Sequence, residues 1–198
     1  MKTSTLVAAA MLFVNASFAQ TSYTDSIKAH QKKYVQDLYP IIKSDTAFIR
    51  FYRIQETYRV KAKVQMLTNQ KTFKMVTSSG ISKEAERLAL VTFTLNGKQQ
   101  KLYAYQLLSL KNNAQTSNLF FIPFIDATSN NDSYAGGRYL DFELKDIVNN
   151  ELVIDFNKAY NPYCAFASGY NCPIPPRENT LTEEIKAGER YWKEKFHH

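Results

Sequence analysis

The pair Asn96-Gly97 stands between "VTFTL" and "KLYAYQ". A two-residue type I′ turn needs positive φ at both central residues, and Asn-Gly supplies it, so two antiparallel strands are expected to meet there. The hairpin has company. From Ala47 onward, segments rich in Tyr, Phe, Val, Ile and Thr recur between turn residues: "AFIRFYRI", "TYRVKAKVQML", "TFKMVTSS", "LALVTFTL", "KLYAYQLLSL", "LFFIPFID", "RYLDFEL" and "LVIDF". Eight such segments at near-regular spacing predict a mainly β fold, a single antiparallel barrel or sandwich-like domain. No repeat, long linker or low-complexity tract divides the chain, so one domain is expected over residues 20–198.

Ahead of the strands, Ile27, Gln31, Tyr34, Val35 and Leu38 recur at helical spacing while Lys28, Lys32 and Lys33 fall elsewhere. The spacing predicts an amphipathic helix over Asp25–Leu38, capped by Thr24 or Asp25 and stopped before Pro40. Earlier still, a lone Lys2 precedes an apolar run from Leu6 to Val14, and Ser17 and Ala19 are the small residues before a cut at Ala19/Gln20. That is the pattern of a signal peptide over residues 1–19. The run is too short to span a bilayer, which needs about 20 residues. Removal leaves 198 − 19 = 179 residues and takes one charge, Lys2, from the formal +7. The expected location is periplasmic or secreted, without stable membrane insertion.

Lys and Arg number 25 against 18 Asp and Glu, but they are spread along the chain and form no stripe with interleaved aromatics. The basic balance therefore reads as a solvated surface, and no nucleic-acid partner is expected. Composition also excludes chemistry. His30 is the one histidine away from the terminal His197-His198, so Ser-His-Asp, Cys-His and histidine-zinc sites lack their parts. Six glycines and no phosphate-cradling loop argue against nucleotide chemistry, and neither a cofactor nor a metal is expected.

A polar constellation remains. "LFFIPFID" is apolar on both faces and reads as a buried strand ending at Asp126. In "RYLDFEL", the period-two rule puts Arg138 on one face with Leu140, Phe142 and Leu144. A guanidinium aimed at the core needs a carboxylate, because an unpaired buried charge costs several kcal/mol. Asp126, Asp132, Asp141, Asp155 and Glu178 are the candidates. The cluster reads either as a ligand-recognising pocket or as a structural ion pair. Asn157, Asn161 and Asn179 are added as amides able to serve a carbonyl-rich ligand. Tyr134, Tyr139, Tyr160 and Tyr163 are added as rings able to stack on sugars.

The stretch "AYNPYCAFASGYNCPIPPRENTL" (159–181) holds both cysteines and four of the six prolines. Pro162, Pro173, Pro175 and Pro176 exclude helix and central strand and predict a long, stiff, extended loop. In an oxidising compartment Cys164 and Cys172 read as a disulfide, with two buried thiols or a metal or reactive thiol as alternatives. The bond is expected to stiffen the loop and to deliver Glu178 and Asn179 to the barrel end near Arg138. The last stretch, "EEIKAGERYWKEKFHH", is ambiguous: Gly188 argues against one continuous helix, and His197-His198 are either native or the remnant of a tag.

"FKMVTSSG", "LFFIPFIDATSNNDSYAGGRYLDFEL", "DFNKAYNPYCAF", "YNCPIPPRENTL" and "IKAGE" follow one another in order. Strung together they resemble DUF1684, a bacterial family of unknown function, over roughly residues 45–190. The chain departs from that pattern where Asp132-Ser133-Tyr134 stands in place of Glu-Thr-Tyr. The resemblance implies a segment and no established reaction. Two functions compete: a small-molecule or glycan-binding, envelope-interaction module, and a histidine-free glycan or ester hydrolase using the carboxylates near Arg138.

Overall fold

A computed structural model describes residues 4–192 and 194–196, with side chains from residue 22 on. Lys2 of the leader pattern and the terminal His197-His198 lie outside the described residues. Helix α1 spans Ser4–Ile42 and passes into a 3-10 turn, Lys43–Phe48. The expected stop before Pro40 is thus overturned, since Pro40 lies inside the helix. It sits in the last turn, where a missing N–H removes a single helical bond. Beyond it the apolar face continues: Leu38 and Ile42 pack with Ile49, Ala165, Phe166 and Phe196. Among the described residues no helix is long and apolar enough to cross a membrane.

Seven strands make one antiparallel sheet: β1 (Arg59–Met66), β2 (Phe73–Met75), β3 (Lys83–Leu95), β4 (Lys98–Leu107), β5 (Leu119–Phe124), β6 (Arg138–Glu143) and β7 (Glu151–Asp155). A short helix, α2 (Leu108–Lys111), follows β4. The order is β6-β5-β4-β3-β1-β7, with β2 paired to β3 alone. The sheet curls into a half-barrel. Asn96 (φ 51°) and Gly97 (φ 76°) form the β3–β4 turn, with Leu95 opposite Lys98. One expected strand is missing. "AFIRFYRI" makes a single bridge, Phe51 to Glu189, because the chain beside it is irregular and offers no ladder.

The concave face holds the main core, where Val91, Phe93, Leu102, Ile122, Leu140 and Phe156 are buried. Leu181, Ile185 and Ala187, from the chain after the last strand, plug the same core. This plug carries no helix. Its backbone packs so closely that a Cβ at Gly188 (φ 76°) would stand 2.5 Å from the Ala159 carbonyl oxygen. Glycine is the residue that both the φ and the contact allow.

The convex face carries a second cluster, Met75, Ala85, Tyr105, Phe121 and Tyr139, and the segment 159–181 lies against it. That segment contains no strand and two 3-10 turns, Tyr163–Ala165 and Arg177–Asn179. It crosses from convex to concave side where β4 and β5 part company. Those strands pair at Tyr105–Phe121, and Pro123, two residues on, has no partner on β4. Tyr139 turns its N–H and C=O to Tyr160, so the opposing Pro123 directs its backbone into the split, where a missing N–H breaks no ladder bond. Asn179 fills the split. Its Oδ1 accepts from Tyr103 N at 2.8 Å, and its Nδ2 donates to Tyr103 O at 2.8 Å and Pro123 O at 2.6 Å.

Cys164 and Cys172 form a disulfide with Cα atoms 6.2 Å apart, inside the range such a bond requires. It closes a small loop against α1 through Ala165 and Phe166. On the loop-entropy estimate the C164S/C172S double variant loses about 2.5 kcal/mol of stability, read from urea unfolding. An unchanged midpoint contradicts that role.

Candidate functional site

Arg138 is fully buried at the start of β6, on the face of Leu140 and Phe142 as the period-two rule requires. Leu144 leaves that face, because the chain turns into a 3-10 turn, Leu144–Asp146, where Glu143 and Asp146 form a capping box. The guanidinium pairs with Asp126 at 3.1 Å, both side chains sealed from solvent. Its two terminal nitrogens also donate to main-chain oxygens of the plug, Ile185 O at 2.8 Å, Ala187 O at 2.5 Å and Glu189 O at 3.2 Å, while Nε has no hydrogen-bond partner among the described residues. Asp126 accepts in return from Ile185 N at 2.6 Å and from the Thr128 hydroxyl at 2.9 Å. Phe124 and Tyr52 present their rings to the cation. The group is a clamp on the chain around 185–189, closed to any ligand.

The other predicted residues do not join it. Asp132 takes Arg190 at the surface, Nε to Oδ1 at 3.0 Å. Glu178 takes Arg87 at 3.2 Å and the Tyr105 hydroxyl at 3.0 Å on the convex face, so its expected delivery to Arg138 is corrected, as is that of Asn179. Asp141 points to the convex side and accepts from Tyr160 at 2.7 Å. Asp155, capping a 3-10 turn, accepts from Tyr23 of α1 at 3.0 Å and from the Asn157 amide at 2.9 Å. Asn157 also binds both backbone groups of Gln55. The Asn161 backbone donates to Glu189 and its side chain to Arg190 O. Tyr134 packs edge-on to Tyr191 and donates to Cys164 O at 3.3 Å. The buried amides of Asn157 and Asn161 thus tie separate segments of the chain together.

Glu189 escaped the sequence reading, although it closes the "IKAGE" motif. It is fully buried, and Oε2 accepts from Tyr34 of α1 at 2.7 Å and from Asn161 N at 2.8 Å. Among the described residues Oε1 has no hydrogen-bond partner. Burial pushes this carboxyl up to about 8, against the pull of those donors and of Arg138.

The open side of the half-barrel is where a ligand has room. Strands β6 and β7 end the sheet and do not pair with each other. Helix α1 lies over the space between them, fastened by Tyr23 to Asp155 at one point and by Tyr34 to Glu189 at another. A cavity of about 570 Å³ remains. Asp141 of β6 and Asp155 of β7 both line it, with His30 and Tyr34 on the helix side and Lys158 and Tyr160 on the chain after β7. Desolvation holds the Asp141 carboxyl above its usual range, the Tyr160 hydrogen bond opposing the shift. His30 is held below its usual range, first by desolvation and next by Lys158. This site gathers Asp141 and Asp155 from the predicted set and adds residues from α1. Among the described residues no cluster of three or more metal-ligating side chains occurs.

These features define a class: a curled antiparallel half-barrel with one N-terminal helix, a polar cavity on its open side and an arginine clamp at one end. The chain belongs to the family described as "Protein of unknown function (DUF1684)", which matches residues 46–190. Among solved structures it is similar to the solution NMR structure of an uncharacterized protein from gene locus rrnAC0354 of Haloarcula marismortui. The two share 26% identity and a TM-score of 0.63, over 85% of this chain and 96% of that one. None of the curated proteins matches. The clamp lies within the family match, whereas the α1 wall of the cavity precedes it.

Glu189 gives stability a pH dependence of fixed sign. Its carboxyl binds a proton more tightly folded than unfolded, so stability falls as pH rises from about 4.5 towards 8. His30 contributes the opposite slope, and comparison with E189Q cancels it. Urea unfolding at several pH values is expected to show the stability of the parent relative to E189Q falling as pH rises from about 4.5 towards 8. Parallel curves for the two proteins contradict a buried neutral carboxyl.

Proposed function

We propose that this is an exported binding module whose ligand enters the cavity between β6, β7 and α1. One observation carries the reading. The sheet ends without joining its edges, and the space so left is lined by hydroxyl and charged groups drawn from separate elements. A concave site with a few convergent polar groups and a shifted titratable residue is the default binding-site hypothesis in any fold. Small sugars and small anions both suit this lining, since Tyr34 and Tyr160 supply rings and hydroxyls, Lys158 supplies positive charge and His30 a ring nitrogen able to hydrogen-bond. The signal-peptide pattern over residues 1–19 and the disulfide support export.

The hydrolase reading narrows to the same place. Asp126, Asp132 and Glu178 are each engaged by an arginine, which leaves Asp141 and Asp155 as the carboxylates lining one cavity. The raised Asp141 carboxyl is the observation in its favour.

Backbone amide shifts on titration with glucose, succinate and phosphate test the proposal. Shifts are expected around Tyr34, Asp141 and Lys158, with none around Arg138. D141A is expected to weaken glucose about tenfold through the lost hydrogen-bonding group. Shifts centred on Arg87 and Glu178, or no shifts with any probe, overturn it.

A further inference from the structure

The Asp141–Tyr160 pair belongs to two spaces at once. On one side is the polar cavity; on the other is a groove of about 330 Å³ along the convex face. Leu107, Leu110, Leu119, Phe121 and Pro173 line the groove, and Asp141 and Tyr160, with the hydroxyl of Tyr139, are its sole polar groups. The Tyr139 hydroxyl is spent on Pro173 O. Phe142 also borders both spaces. A polar chamber and an apolar trough therefore meet at one threshold. A ligand reaching across it must be polar at one end and apolar along the rest.

The charges around the chamber say which polar end. Its carboxylates already have donors: Asp37 from Lys33 at 2.9 Å, Asp141 from Tyr160, Asp155 from Tyr23 and Asn157, and Asp146 from Glu143 N at 2.8 Å. The Lys158 ammonium, among the described residues, makes no hydrogen bond or ion pair, and it faces His30. The unmet group is a cation. A formal net charge of +7 adds long-range attraction of the same sign.

We propose that the cavity and groove together hold a single-chain anionic amphiphile, its head beside Lys158 and its alkyl chain along Leu107, Leu110, Leu119 and Phe121. The inference rests on the cavity reading above and specifies its ligand. The Asp141–Tyr160 pair then marks the boundary between head and chain.

Calorimetry with monomeric alkyl carboxylates from butyrate to laurate, with dodecyl phosphate, and with neutral dodecyl maltoside tests it on the mature protein. Affinity is expected to rise roughly fourfold per added methylene until the groove is filled. K158E is expected to weaken laurate on the order of tenfold, as loss of a charge-assisted contact does. L110E, at a half-buried position of α2, is expected to abolish the chain-length dependence; L110Q replaces it if the charge prevents folding. Tighter binding of laurate or of dodecyl phosphate tells a carboxylate head from a phosphate head, and either supports the proposal. Affinity independent of chain length, or dodecyl maltoside binding as tightly as laurate, overturns it. Butyrate binding at Lys158 without gain from longer chains overturns the amphiphile and leaves the cavity reading intact. No binding by any probe here, together with no amide shifts from glucose, succinate or phosphate, overturns both.

Discussion

A single ion pair organises one end of this molecule. Arg138 and Asp126 are sealed from water at the point where β5 ends and β6 begins. Burying two charges is expensive, and their mutual attraction offsets the expense when the remaining donors and acceptors are also met. Here the plug meets most of them, with three carbonyl oxygens for the terminal nitrogens of the guanidinium and one N–H for the carboxylate, and among the described residues only the Arg138 Nε–H of the pair is left without a partner. The pair therefore stabilises little as an isolated contact and a good deal as a fastening. It converts an irregular segment with no ladder of its own into part of the barrel core, and Ile185 and Ala187 are buried as a result.

The plug in turn fixes α1. Glu189, held by the clamp through its carbonyl, offers its carboxyl to Tyr34, while Asp155 at the end of β7 holds Tyr23. These two bonds set the helix across a sheet whose edges never meet. The cavity is thus a by-product of incomplete closure and a helix pinned at two places. Its polar lining follows, since edge strands and a solvent-facing helix carry charged residues that a closed core excludes.

Much of this was legible in the residues. Alternation in "RYLDFEL" put Arg138 among Leu140 and Phe142, and the Asn-Gly pair fixed the β3–β4 hairpin. The cysteine spacing and the export pattern pointed to the disulfide. Other features turn on long-range neighbours that periodicity cannot name. "AFIRFYRI" has the composition of a strand but meets only an irregular chain at Phe51. Five carboxylates were equivalent candidates for Arg138 until the β5–β6 register placed Phe124 opposite it and Asp126 just beyond. Glu178 and Asn179 follow the prolines in sequence, yet serve Arg87 and the β4–β5 split. Glu189 and the cavity were missed because each depends on where α1 lands, and nothing within the helix states that.

The clamp is tested most directly by hydrogen exchange at the Ile185 amide, which donates to Asp126. In the parent protein this amide is expected to be protected as strongly as the β3–β4 core. In Asp126→Asn, protection at Ile185 and its neighbours up to Glu189 is expected to collapse by orders of magnitude, while β3 and β4 keep theirs, because the plug opens before the sheet does. Rapid exchange of Ile185 in the parent, or unchanged protection in the variant, would show that the plug is held by something other than the buried pair.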